Sequence, residues 1–198
     1  MIETDYIILK KIPYRESSLI VSGISPELGK LDFVMRGHAS GKAGKFPVAG
    51  LFRELHIEFK SKSDDLSGLL TAGKIELKAN NDSIAENIPG YLAACELSTM
   101  LLANTAPMIP IPETYQVLNL FLKSIQSGKA PEPYLSLVYL MLLREGGELP
   151  PQEGRAGDFL DQLLSATAAG HDIPERLPES YWQKLSEWRK IICRKMKK

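Results

Sequence analysis

Hydrophobic and polar positions follow two different periods along this chain, and the change comes near residue 80. Before that point, apolar residues occur in short runs between turn residues, and from 51 to 59 they alternate with polar ones. Alternation with a period of two is typical of a strand with one buried face. The pattern predicts five strands, at residues 6–10, 18–22, 31–35, 51–59 and 66–77. Five short strands separated by turns predict a small antiparallel barrel or sandwich.

After residue 80 the apolar positions recur at helical spacing. They predict five helices, at residues 89–104, 113–127, 133–145, 158–169 and 179–195. The third of these is the most apolar, so we expect it at the centre of a bundle. The sequence thus predicts an α+β chain with a β domain over 1–80 and an α-helical domain over 81–198, each with its own core.

Composition adds little to this picture. The chain has 198 residues, of which 44% are hydrophobic and 24% charged, as in ordinary globular proteins. No apolar run reaches the roughly 18 residues that span a membrane, and the N-terminus lacks the layout of a signal peptide. We therefore expect a cytoplasmic protein without a membrane partner. Cys95 and Cys193 lie far apart in the sequence, which favours free thiols over a disulfide.

The net charge is zero, but the charges are segregated. Residues 29–62 hold seven Lys or Arg against three acids, and residues 184–198 hold seven against one. Residues 132–179 hold nine acids against three Arg. Each run has two interpretations, a solvated face or a surface for a charged partner.

The first basic run contains the most informative segment, residues 29–46. An apolar strand leads into a glycine-rich stretch that carries Lys42 and Lys45 and no acid. The stretch does not fit a P-loop, because the required glycine and the hydroxyl after Gly-Lys are both missing. A barrel with a cationic loop and neighbouring aromatic residues is typical of OB domains that bind single strands. The candidate stacking residues are Phe33, Phe46, Phe52 and Tyr14, although most aromatic residues at strand spacing belong to a core.

No residues here have the spacing of a catalytic or zinc site. The paired carboxylates Asp64 and Asp65 fall in a polar turn, and Asp158 and Asp161 fall at a helix start, where acids stabilise the helix. We therefore expect no enzymatic activity and no cofactor. Another alternative is a nuclease that uses Asp64 and Asp65.

Several short motifs resemble the RecO family of DNA repair and recombination mediators. The resemblance is most specific over residues 5–55 and is looser as far as residue 150. The motifs that carry it are Tyr6-Ile-Ile-Leu-Lys10, Tyr14-Arg-Glu-Ser, Leu28-Gly-Lys-Leu31, Val34-Met-Arg-Gly37, Lys45-Phe46, Tyr91-Leu-Ala-Ala-Cys-Glu96 and Tyr139-Leu-Met-Leu-Leu143.

The resemblance implies an N-terminal OB-fold and a helical C-terminal domain. It also implies a non-enzymatic protein that binds single- and double-stranded DNA and anneals complementary strands in the cytoplasm, at the nucleoid. Its expected partners are RecR and the acidic tail of the single-stranded-DNA-binding protein, contacted through the helical domain. RecA is then an indirect partner, loaded onto the coated strand.

Carried over by position, the nucleic-acid contacts are the basic residues of the barrel: Lys30, Arg36, Lys42, Lys45 and Arg53. A second basic contact is predicted on the last helix, at Lys190, Arg194 and Lys195. Many relatives carry a four-cysteine zinc module, but the segment 150–154 has no cysteine, so no zinc is expected. The alternative function is a protein-interaction adaptor whose OB domain has lost most of its DNA affinity.

Overall fold

The N-terminal part is a closed five-stranded barrel. The computed structural model describes residues 1–16, 18–36, 49–61, 63–174 and 177–196, with side chains as far as residue 192. The strands are β1 (Ile2–Tyr14), β2 (Ser18–Ser25), β3 (Gly29–Arg36), β4 (Glu54–Phe59) and β5 (Leu69–Ala79). They close in the order β1-β2-β3-β5-β4, and β4 pairs back to β1. Only β3 and β5 run parallel to each other; the other neighbours are antiparallel. This is an OB-fold, so the predicted fold is confirmed.

Side chains alternate along each strand, so every second side chain points into the barrel and fills it. In β4, for example, Leu55, Ile57 and Phe59 are buried, whereas the residues between them are half-buried. Phe33 packs edge-to-face with both Tyr6 and Phe59, at centroid separations of 5.3 and 5.1 Å. Aromatic contacts of this geometry add to the free energy gained from burial alone.

Among the residues described after the barrel, five helices follow a 3₁₀ turn at Asp82–Glu86. They are α1 (Ile88–Asn104), α2 (Pro112–Gln126), α3 (Glu132–Glu145), α4 (Gly154–Ala168) and α5 (Glu179–Met196). As predicted, α3 is the most buried: it packs against α2 and α5, and Leu137, Val138, Leu140 and Met141 are inaccessible to solvent. No helix in the described ranges is long and apolar enough to cross a membrane.

The helical core is shared with the barrel. It includes Ile7, Leu9, Ile24 and Phe52, which project from the outside of the barrel and pack with the helices. A second cluster fills the barrel interior. The prediction of two independent cores is therefore wrong for the helical domain. Some apolar residues point outward from a strand. The sequence alone does not show whether another domain covers them.

The linker between α1 and α2 is hydrogen-bonded to the β2–β3 turn. Lys30 N donates to Ala106 O at 3.2 Å, Met108 N donates to Leu28 O at 2.8 Å, and Ile111 N donates to Pro26 O at 2.9 Å. Gly29 permits this approach because its φ is +67° and a Cβ there would lie 2.3 Å from Ala106 O. The linker thereby fixes the helical domain to one end of the barrel.

The last helix buries most of its apolar side chains. Trp182, Leu185 and Ile192 are buried, but Ile191 is exposed. Arg189 belongs to the basic run 184–198, yet it is buried. Its guanidinium donates to Glu96 at 3.2 Å and lies 4.6 Å from the centroid of the Tyr139 ring. Charge patterning along one helix could not reveal partners on α1 and α3.

Candidate nucleic-acid interface

The strand register aligns three rows of residues across the outer face of β1, β2 and β3. The first row is Tyr14, Ser18 and Arg36, at the tip of the β1–β2 hairpin and the end of β3. The second is Ile12, Ile20 and Val34, and the third is Lys10, Ser22 and Asp32. The pairing of β3 with β5 extends the second and third rows to Thr71 and Leu69. We call these three rows, together with Arg15, the outer β2–β3 face.

This face combines exposed cations with an aromatic ring. Lys10, Arg15 and Arg36 are exposed, and none of them forms an ion pair with another described residue. Tyr14 is half-buried, and the Arg15 guanidinium lies 5.2 Å from its ring centroid. The acid of the face is Asp32 on β3, and Glu16 lies next to Arg15 in the hairpin turn. Phosphate oxygens suit such cations, and a base suits such a ring.

The middle of the face is unusually apolar for a barrel surface. Ile12 is 43% exposed and Leu69 is 49% exposed, with the half-buried Ile20 next to Ile12 across the hairpin. No described element covers them. Exposed apolar side chains between cations provide a surface on which unpaired bases can lie.

The opposite side of the barrel, formed by β1, β4 and β5, is acidic. It carries five acids against two lysines: Glu3, Asp5, Glu54, Glu58, Glu76, Lys74 and Lys78. Both lysines are paired, Lys74 with Glu58 and Glu76, and Lys78 with Asp5. Burial raises the pKa of Asp5, but hydrogen bonds from Lys78 and His56 outweigh it and leave that pKa below its ordinary value. The negative charge of this side is therefore unfavourable for contact with a polyanion.

Two of the predicted DNA contacts have structural partners. Lys30 Nζ donates to the carbonyl of Leu102 at 3.1 Å, in the last turn of α1, where a cation is favourable. The Arg53 guanidinium donates two hydrogen bonds to the carboxylate of Asp82. The side chain of Arg53 is only 16% exposed. The hydrogen bonds from Arg53 also lower the pKa of Asp82. Both cations join the barrel to the helical domain rather than reaching the outer β2–β3 face.

The other predicted site residues have different positions. Arg36 lies exposed on the outer β2–β3 face, and Lys190 is exposed on α5. Lys42 and Lys45 lie outside the described residues, as do the side chains of Arg194 and Lys195. Among the candidate stacking residues, Phe33 and Phe52 are buried, Tyr14 is on the face, and Phe46 lies outside the described residues.

Asp65, one of the carboxylates that could have held a metal, has a local role. Asp65 accepts hydrogen bonds from the backbone and the hydroxyl of Ser67, at 2.8 Å each, which closes the turn before β5. Within the described part of the chain, no group of three or more His, Cys, Asp or Glu side chains is placed to hold a metal ion. Cys95 is a free thiol.

The barrel is similar to a known protein domain. The family model of the recombination protein O N-terminal domain matches residues 1–77, which ends two residues before β5 does. By this match, the barrel is similar to the RecO N-terminal domain, which is an OB-fold, as found here. The similarity supports a RecO-like role in recombination and repair. No curated protein matches the chain.

Sequence reasoning missed part of the outer β2–β3 face. The predicted first strand ended at residue 10, whereas β1 continues to Tyr14. Lys10, Ile12 and Tyr14 share a side of the extended strand, and this spacing of two was the available signal. Their alignment with β2 and β3 depends on a register shift between Ile8 and Lys10, which no local pattern reveals.

Proposed function

We propose that the chain binds single-stranded DNA along the outer β2–β3 face of its OB barrel and promotes annealing of complementary strands. The alignment of Tyr14 with Arg36, beside an exposed apolar row, is the observation that supports this most strongly. Bases would stack on Tyr14 and lie over Ile12 and Leu69. Phosphates would contact Arg36, Lys10 and Arg15.

Annealing follows from the same contacts. A strand held by its phosphates and by one side of its bases keeps hydrogen-bonding edges available to a second strand. Neutralised phosphates reduce the repulsion between the two backbones. Double-stranded DNA would bind through the phosphate contacts alone, because a duplex offers no unstacked bases to Tyr14.

The partners proposed for the helical domain are RecR and the single-stranded-DNA-binding protein, and through them RecA would be loaded onto the strand. The tail of the single-stranded-DNA-binding protein is acidic, so it requires cations. Lys184 and Lys190 are exposed on α5 and have the appropriate charge.

Anisotropy of a fluorescent oligothymidylate of about 20 nucleotides, titrated at several salt concentrations, tests the DNA site. Tyr14→Ala should weaken binding by about 1–3 kcal/mol, the usual cost of one lost stack. Arg36→Gln should weaken binding and reduce the slope of log K against log salt by about 0.7, the share of one single-strand phosphate. Annealing of two labelled complementary oligonucleotides should slow in the same variants.

Lys74→Gln is the matched control, because it also removes one positive charge but from the acidic side of the barrel. Its affinity and salt slope should equal those of the wild type. Normal binding by both Tyr14→Ala and Arg36→Gln would refute the site.

The second candidate is a protein-interaction adaptor with a degenerate OB domain. The engagement of Lys30 and Arg53 in structural contacts favours it, since two predicted cations are withdrawn from DNA. An adaptor would bind the oligonucleotide weakly at all salt concentrations, with no effect of Tyr14→Ala. The salt titration therefore separates the two candidates.

A further inference from the structure

A cleft of about 730 Å³ opens in the helical domain, away from the outer β2–β3 face. One wall is α1, with Met100 and Ala103, and the opposite wall is the end of α3, with Leu142 and Leu143. The third wall is the linker, where Ile109 is 57% exposed. The volume is that of ordinary ligand and peptide sites.

Two walls of this cleft are held in place by hydrogen bonds. The linker wall is fixed to the β2–β3 turn by the three backbone hydrogen bonds described above. On the α3 side, Glu145 accepts hydrogen bonds from the backbone N–H groups of Glu113 and Thr114, at 2.9 and 2.8 Å. The shape of the cleft is therefore set before any partner arrives, which lowers the entropic cost of binding.

The charges of the lining are all of one sign. Glu96, Glu145 and Glu148 line the cleft, and no Lys or Arg among the described residues does. Glu148 is exposed, and its carboxylate forms no ion pair with a described residue. The buried Arg189, which contacts the lining residue Glu96 at 3.2 Å, is also 3.6 Å from Glu132. An acidic peptide would thus meet negative charge and no available cation.

We propose that this cleft docks an apolar segment of a partner protein that carries Lys or Arg beside its apolar residues. The apolar side chains would fill the space between Met100, Leu142 and Ile109. The cations would lie at the rim, next to Glu148 and Glu96. An acidic tail of the kind expected for the helical domain is excluded from this cleft and requires another surface. This inference is independent of DNA binding by the barrel.

Two fluorescent nine-residue peptides test the proposal with the full chain. Both carry the same Ile-Leu-Phe centre, flanked by lysines in one and by aspartates in the other. The basic peptide should bind at least about 10-fold more tightly than the acidic one, and added salt should reduce the difference. Glu148→Lys should weaken the basic peptide about 5-fold and strengthen the acidic one, as expected for reversal of one rim charge.

Glu187→Lys is the matched control, because it makes the same change on an exposed position of α5 that does not line the cleft. It should leave both affinities unchanged. Ala103→Trp fills the cleft from an exposed position of α1 and should abolish binding of the basic peptide. The proposal is overturned if the acidic peptide binds as tightly as the basic one. It is also overturned if Ala103→Trp has no effect, or if the basic peptide does not bind up to about 1 mM.

Discussion

Gly29 is the position at which a single methyl group should separate the two parts of the protein. In Gly29→Ala the new Cβ would lie 2.3 Å from Ala106 O and 2.5 Å from Ile109 O, both backbone atoms of the linker. The linker must therefore move. Its movement would break the hydrogen bonds between Lys30 N and Ala106 O and between Met108 N and Leu28 O.

The expected loss of stability in Gly29→Ala has two contributions. Placing alanine at a φ of +67° costs about 1 kcal/mol. Two lost backbone hydrogen bonds cost about 1 kcal/mol each. The free energy of unfolding should therefore fall by about 3 kcal/mol. With a urea slope of about 2–3 kcal/mol per molar for a chain of this size, the unfolding midpoint should fall by about 1 M.

Gly147→Ala is the control for this experiment. Gly147 has a φ of +70°, but nothing lies within 4 Å of the position of its Cβ. This variant should lose only the conformational cost of about 1 kcal/mol. Its urea midpoint should therefore fall by about 0.4 M. Equal midpoints for Gly29→Ala and Gly147→Ala, measured by circular dichroism in urea, would show that the close approach of the linker does not contribute to stability.

Two further predictions concern the contact between barrel and helices. Hydrogen bonds from Arg53 lower the pKa of Asp82 below 3.8 in the folded protein. The ionised Asp82 therefore stabilises the fold at any pH above its pKa in the unfolded chain. This stabilisation is lost as the pH falls through the pKa of Asp82 in the folded protein. Asp82→Asn should therefore lower the urea midpoint at neutral pH, and the midpoints of variant and wild type should converge below pH 3.8; a constant difference would contradict the ion pair. Residues 1–80 alone should aggregate or bind a hydrophobic dye, since Ile7, Ile24 and Phe52 lose their helical cover; a monomeric fragment that binds no dye would contradict the shared core.

The sequence predicted the elements of the fold well because burial imposes a period on each of them. The alternation in β4 and the apolar density of α3 are direct consequences of which side chains meet the interior. These signals are local, so they need no knowledge of the neighbouring elements. They also reveal no contact between elements, which is why the shared core was missed.

The candidate site was predictable only in part, since a lysine or arginine looks the same in sequence whatever it contacts. Arg36 and Lys30 lie six residues apart on one strand, yet only Arg36 is exposed on the outer β2–β3 face. Lys30 has its partner at Leu102, and Arg53 has its partner at Asp82. Such long-range pairs follow from the docking of two domains, which no motif encodes.

The barrel closes through one short parallel pairing, between β3 and β5, which we call the seam. The parallel pair of β3 and β5 joins only Asp32–Val34 to Leu69–Thr71, whereas the β2–β3 pairing extends over the whole of both strands. The ring should therefore open first at this seam, and the amide hydrogens of Leu69–Thr71 should exchange with solvent sooner than those of β2. The proposed DNA path crosses the seam, because Thr71 and Leu69 end two of its rows. DNA that binds only the closed ring would slow this exchange by mass action. The opening of the barrel itself would then report whether a strand is bound.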